Sequence, residues 1–170
     1  MIYSFQQHLE QNSVALQGTR SDLMEIRKSL IKEHDSVVKL TSQMGKNYDG
    51  TPEFCDFNNP GRKAALIRRE LQAHPDEFLV AEENDEILGW LQYAEEEKND
   101  TTSIHDLIVD AKHRNKGVAS ALIEKVSENK KEIRLEVNEK NTGAIKLFEK
   151  LGFRPMMKSI GMSRTGRKNQ

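Results

Sequence analysis

The sequence predicts an α/β domain built on one mixed sheet of six to seven strands, with helices on both faces. Three observations lead there. At 170 residues the chain is long enough for a single domain burying roughly 70% of its unfolded surface. Short strand-like segments alternate with helical ones in the order strand, helix, helix, three strands, helix, strand, helix, strand. One segment, Ser103 to Asp110, is apolar on both alternations, with Ile104 and Ile108 assigned to one side and Leu107 and Val109 to the other. Such a strand is covered on both faces and belongs at a sheet centre.

The elements follow in order. Residues 1–20 carry only scattered apolar positions and read as an N-terminal arm; 21–164 form the main domain and 165–170 a polar tail. A short alternation from Leu23 to Leu30 suggests the first strand. A helix from about Lys32 to Met44 would bury Val37, Val38 and Leu40, and stop at Gly45. Tyr48 to Asn59 is a loop by composition, and Asn59-Pro60 reads as the cap and first residue of a helix reaching about Ala73. Phe78 to Ala81 and Ile87 to Leu91 flank Asn84-Asp85, a hairpin signal. Past the central strand, a helix from Val118 to Asn129 is followed by a strand from Glu132 to Val137. A last helix after Asn141 places Ala144, Leu147, Phe148 and Leu151 on one stripe and ends at Gly152. Phe153 to Ser163 reads as one or two closing strands.

Composition excludes several functional classes. Charged residues make up 31% of the chain but leave a net charge of -1, which predicts no general attraction to nucleic acid or anionic membrane. No apolar run approaches the ~20 residues that span a bilayer, and Met1 to Asn12 lacks the features of a signal peptide. The single cysteine, Cys55, cannot form an internal disulfide, and no Cys/His cluster has zinc-like spacing. A reducing cytoplasm and no metal are the expectation.

The chemistry-bearing segment begins at the central strand. Directly after it, Arg114-Asn115-Lys116-Gly117-Val118-Ala119 opens a helix. A strand, a turn with glycine and a helix start leave several backbone N–H groups pointing outward, and the helix dipole adds to them. That arrangement suits a pyrophosphate. The segment is neither a P-loop nor a dinucleotide fingerprint, because the further glycines and the Lys-Ser/Thr pair are missing.

These residues resemble the Arg/Gln-x-x-Gly-x-Gly/Ala signature of the GNAT superfamily of acetyl-CoA-dependent N-acetyltransferases. The stretch Asn141-Thr-Gly-Ala144-Ile-Lys-Leu147-Phe148-Glu-Lys-Leu-Gly152-Phe153 resembles the family's second cofactor segment. The resemblance covers Leu23 to Ser163, and it implies a central twisted, mostly antiparallel sheet. It implies that Arg114, Asn115, Lys116, Gly117, Val118, Ala119 and Ser120 hold the CoA pyrophosphate. It further implies that backbone groups of Leu107 and Val109, with Ile108 between them on the cofactor strand, pair with the pantetheine as an added strand would, and that Asn141, Ala144 and Phe148 line it.

The chain departs from the family where Phe148 replaces the tyrosine proposed to protonate the leaving thiolate. A phenyl ring cannot donate a proton. For a base, Asp106 and His105 stand out in the middle of an otherwise apolar strand, where an unpaired charge is costly. Glu83, at the end of the hairpin's first strand, is a third candidate. The family places its acceptor between the first two helices and the central strands. There the loop holds Asp49, Glu53 and Asp56 among Tyr48, Phe54 and Phe57, a composition suited to a cationic amine.

The expected function is transfer of acetyl from acetyl-CoA to a primary amine of a small molecule or peptide, by direct attack in a ternary complex. Two other classes remain open: an acyl-CoA-binding sensor with little turnover, and an interaction protein assembled through residues 1–20. A homodimer is compatible with the chain.

Overall fold

The structure is a computed structural model that describes residues 24–43, 60–96 and 100–157. Five strands form one sheet in sequence order: β1 (Glu25–Lys28), β2 (Phe78–Glu83), β3 (Glu86–Glu96), β4 (Thr101–Val109) and β5 (Glu132–Leu135). The first three pairings are antiparallel, and β4 with β5 is parallel. The helices are α1 (His34–Thr41), α2 (Pro60–Ala73), α3 (Val118–Ser127) and α4 (Thr142–Lys150). The mixed, mostly antiparallel sheet and the element order agree with the sequence reading.

The β2–β3 turn shows local chemistry setting topology. Asn84 and Asp85 have φ of 53° and 62°. A two-residue hairpin turn of this kind needs positive φ at both central positions, which Asn and Asp tolerate better than most residues. Glu82 accepts the Asp85 N–H at 2.6 Å and fixes the corner.

Two apolar layers cover the sheet. On one face Val37 and Leu40 of α1 and Ile67 and Leu71 of α2 pack with Phe78, Val80, Ile87, Trp90 and Ile108. On the other, Val118, Leu122, Ile123 and Val126 of α3 pack with Leu79, Ala81, Leu91 and Ile104, with Leu147 and Phe148 of α4 at the margin. Fully buried residues of this size are each worth about 1.5–3 kcal/mol, so both layers are needed to hold the sheet.

Three expectations change. The strand count among the described residues is five, because 153–157 carry no strand; 158–163 lie outside the described residues. The first helix starts later, after a 3-10 turn at Ile31–Glu33. The two sides of β4 are also reassigned. The β3–β4 ladder runs Gln92↔Asp106 and then Tyr93↔Ile104, so His105 is an extra residue on β4. This bulge reverses the alternation. Ile104 therefore joins the α3 layer that Leu107 and Val109 pack against, while Ile108 lies in the opposite layer. The segments 1–20 and 165–170 lie outside the described residues.

The entry to α1 is held by a charged pair. Arg27 donates to both oxygens of Glu33, at 2.9 and 2.5 Å, and the Leu30 N–H donates to Glu33 Oε2 at 2.9 Å. The Arg27 bond, helped by the Leu30 N–H and opposed by burial, holds the Glu33 carboxyl below its ordinary value of 4.5. A depressed folded-state value stabilises above the unfolded value and is lost as pH falls through the folded one. Glu33→Gln is therefore expected to lower Tm at neutral pH. The gap from the parent should close as pH drops below 4.5, which thermal melts across pH would measure.

Candidate active site

Strand β4 carries the geometry around which the site residues gather. Its ladder with β5 runs only from Thr101↔Glu132 to Ile104↔Leu135. Beyond Ile104, β4 continues for five residues while β5 has ended. The bulge at His105 lies at the point of departure.

Backbone alternation then decides which groups face the gap. The Asp110 N–H bonds the Leu88 carbonyl at 2.8 Å. In an antiparallel ladder, hydrogen-bonded pairs alternate with non-bonded ones. With Asp110 a bonded position, Val109 and Leu107 are not, so their N–H and C=O groups turn away from β3, toward the side that β5 has left. The Arg114 Nε donating to the Val109 carbonyl at 3.2 Å agrees with this orientation.

The segment after β4 is tightly organised. Asp110 accepts the Lys112 N–H at 2.9 Å, and this bond, with one from Gln43, holds its carboxyl below the usual range against a smaller effect of burial. Gln43, just past α1, donates from Nε2 to Asp110 Oδ2 at 3.2 Å and accepts the Ala111 N–H at 2.9 Å. One side chain thus ties the end of the first helix to the turn that precedes the glycine loop. Asp110, Lys112 and Arg114 also wall a cleft of about 660 Å³ closed by Lys39, Asp85 and Glu86, among others. Its mixed charge does not select an anion, so an anion site depends on the loop beyond.

In that loop Asn115 has φ 59° and Gly117, the N-cap of α3, has φ 87°. The first intrahelical bond shown is from the Ala121 N–H to the Gly117 carbonyl at 3.0 Å. The N–H groups of Val118, Ala119 and Ser120 precede it, and the N-cap residue, a glycine, has no side chain to cap them. Asn115, Lys116 and Gly117 are exposed. A Cβ at Gly117 would meet no heavy atom within 4 Å, so glycine is needed for its left-handed backbone rather than for space. Gly117→Ala is expected to cost about 1–2 kcal/mol, read as a lower midpoint in a urea melt, and to weaken any anion held there.

The second segment is less committed to a ligand. Asn141 caps α4, its Oδ1 accepting the Ala144 N–H at 3.2 Å. Phe148 stands edge-on to Phe153, with centroids 5.7 Å apart. Both Asn141 and Ala144 are half-buried.

The three candidate bases occupy different settings. His105 is exposed rather than buried, because the bulge turns it outward. Asp106 is largely covered, with a side chain 12% exposed, and its Oδ2 receives Lys63 Nζ at 2.9 Å. Glu83 pairs with Glu86 at the hairpin end, whereas Asp106 lies level with Gln92 and Phe78. Five residues separate those levels, roughly 16 Å along the sheet. The register brings His105 and Asp106 together and leaves Glu83 apart. Tyr48, Asp49, Glu53 and Phe54 lie outside the described residues.

Lys63, Gln43 and the bulge were not legible as site features. Lys63 did leave a signal: it stands four residues before Ile67 and eight before Leu71, the two fully buried positions of α2. A lysine on an apolar stripe calls for an anionic partner. Gln43 and the bulge left none.

A family model described as the acetyltransferase (GNAT) family matches residues 47–153, more than half of the chain. The chain belongs to the GNAT family of acetyltransferases. Among curated proteins, the GNAT chain is 34% identical over 107 residues to an acetyltransferase of Pectobacterium atrosepticum, covering 59% of this chain and 74% of that protein. It is 33% identical over 88 residues to an uncharacterised N-acetyltransferase of Methanocaldococcus jannaschii, covering 46% of this chain but only 39% of that one. Among solved structures, Ard1 from Thermoplasma volcanium matches with a TM-score of 0.60 at 24% identity, over 79% of this chain and 85% of that one. A diaminobutyrate acetyltransferase from Paenibacillus lautus, in complex with its substrate L-2,4-diaminobutyric acid and coenzyme A, matches with a TM-score of 0.56 at 18% identity, over 78% and 75%. These two likenesses support the GNAT fold. The family is one of acetyltransferases, so acyl transfer is the activity to which membership points. Among the described residues no helix is long and apolar enough to cross a membrane, and no cluster of ligating side chains forms a metal site.

Proposed function

We propose that this GNAT chain is an acetyl-CoA-dependent N-acetyltransferase acting on a primary amine of a small molecule or peptide, by direct attack in a ternary complex. The observation that carries the reading is the parting of β4 from β5 after Ile104↔Leu135, with the Leu107 and Val109 backbone turned into the gap. An extended pantetheine arm carries amides that such a strand edge can pair. The N–H groups of Val118, Ala119 and Ser120, with Lys116 beside them, fit the pyrophosphate at the other end of the same edge. Asn141, Ala144 and Phe148 would line the arm from the side of α4. Acetyl-CoA supplies an activated thioester, and the remaining work falls to the protein.

That work is mainly deprotonation. A free alkylamine of pKa ~10.4 is neutral about once in a thousand molecules near pH 7.4, a cost of roughly 4 kcal/mol. A positioned base supplies roughly 10²–10⁴-fold, about the same amount. We assign this role to Asp106, which stands next to the Leu107 edge on the side of α2. His105 is the second choice, acting through water. Asp49 and Glu53 are proposed to read the positive charge of the acceptor.

Phe148 is proposed to pack against the pantetheine and to take no part in proton transfer. A thiol of pKa ~8.5 leaves tolerably as thiolate, so losing the family's tyrosine is a modest handicap. Phe148→Tyr is expected to leave turnover within about tenfold, while Phe148→Ala raises the Kd for acetyl-CoA. A second reading, an acyl-CoA-binding sensor with little turnover, is favoured by the same Phe148 and by the Lys63 ammonium on Asp106. Thiol release from acetyl-CoA across a panel of polyamines, aminoglycosides, amino acid derivatives and peptides separates the two. Release with at least one class supports the transferase, and none across the panel, with acetyl-CoA bound, supports the sensor.

A further inference from the structure

A primary amine of the chain itself already sits against the proposed base. Lys63 Nζ, on α2, is 2.9 Å from Asp106 Oδ2, and the two side chains are only 18% and 12% exposed. Both charges are largely withdrawn from water, so the pair holds a fixed place rather than fraying like a surface ion pair. Asp106 is the residue next to Leu107, whose backbone turns toward the β5 gap, and it directly follows the bulge at which β4 leaves β5. Lys63 sits four residues before Ile67 on a helix anchored by Ile67 and Leu71, so packing of α2 aims this side chain at β4.

We propose that Lys63 is itself an acyl acceptor, a self-acetylation site of this chain. The inference rests on the acetyl-CoA reading above and adds to it a covalent target. Asp106 serves as the base that it would be for an external amine. A proton passes from Lys63 Nζ to Asp106 Oδ2, and the freed lone pair forms the N–C bond to the thioester carbonyl carbon. The C–S bond breaks, and the sulfur leaves with its electron pair. It takes up the second proton that the nitrogen loses on becoming an amide. Asp106 then releases its proton to water. The products are acetyl-Lys63 and free CoA thiol, and no further reactant is required. Acetylation also removes the positive charge from the lysine, which leaves Asp106 open to the ammonium of an external acceptor. Self-acetylation would thus switch the site from a closed ion pair to one that receives cationic amines.

The test is intact-mass and peptide mapping of the full chain after incubation with acetyl-CoA, with binding measured in parallel by calorimetry. The mass of the chain is the readout, so no acceptor turnover enters. One added acetyl group on Lys63 is expected, at a rate that saturates with acetyl-CoA occupancy. Lys63→Arg, which keeps a cation against Asp106 and hence the fold, should abolish it. Asp106→Asn should slow it by ~10²-fold or more. A heat-unfolded sample should show only slow labelling spread over many lysines. Bound acetyl-CoA with Lys63 unmodified, or labelling no different from the unfolded sample, overturns the proposal while leaving the acetyl-CoA site standing. A folded chain that does not bind acetyl-CoA overturns both.

Discussion

Asp106→Asn is expected to lower kcat by ~10²–10³-fold while leaving the KM for acetyl-CoA little changed. The asparagine keeps the shape of the side chain but cannot take a proton, so the roughly 4 kcal/mol cost of neutralising an alkylamine returns to the barrier. The strand edge at Leu107 and Val109 and the loop at Gly117 do not depend on the carboxylate, which keeps cofactor affinity out of the effect. Because the asparagine takes the carboxylate away from a largely covered Lys63 ammonium, the variant should also be less stable, by about 3–5 kcal/mol at the buried-pair limit. Initial rates over a grid of acetyl-CoA and amine concentrations separate the two parameters. A fall in kcat that raising the pH recovers would show that amine deprotonation is the step affected. An unchanged kcat would remove Asp106 as the base and turn attention to His105, one residue away on the bulge.

A large effect on the scaffold is also expected from Gly89→Ala. Gly89 lies opposite Val109 in the β3–β4 ladder. A Cβ there would stand 2.6 Å from the Ile108 carbonyl oxygen and 3.2 Å from the Val109 Cα. Both are backbone atoms of the strand whose free edge is proposed to hold the pantetheine, so no side chain can swing aside to make room. Overpacking of this kind costs about 1–3 kcal/mol. At about 2–4 °C of Tm per kcal/mol for a chain of this size, the melting temperature should fall by several degrees. The same displacement of β4 should weaken acetyl-CoA binding, so stability and affinity drop together. Gly117→Ala provides the contrast, because its methyl meets open space and its cost is backbone conformation alone.

Much of the fold was legible because local rules and tertiary needs agree. Asn84-Asp85 marks the hairpin by its tolerance of positive φ. The residues Leu122, Ile123 and Val126 mark the buried face of α3, and Gly152, with φ 90°, marks the end of α4. The cofactor-loop expectation rested on Gly117, and the positive φ found there is what a glycine before a helix suggests. The bulge at His105 was not legible, since no glycine or proline announces it and the run from Ser103 to Asp110 reads as regular alternation. That single insertion moved Ile104 to the other face and turned His105 outward. The partner of Asp106 was missed for a related reason. Lys63 and Asp106 are 43 residues apart in sequence, and only the packing of α2 over β4 brings them together. The clasp of Gln43 on Asp110 and the Ala111 N–H is likewise a product of tertiary placement, with no pattern to announce it.

The claim on which the rest depends is that the β4 edge and the α3 N-terminus together hold acetyl-CoA. Titration calorimetry of the purified chain with acetyl-CoA and, separately, with desulfo-CoA tests it most directly. Micromolar binding of each, mutual displacement and a weaker Kd for Gly117→Ala are the predicted results. No heat of binding from a folded sample with either ligand would contradict the cofactor site, and the transferase and sensor readings would fall with it.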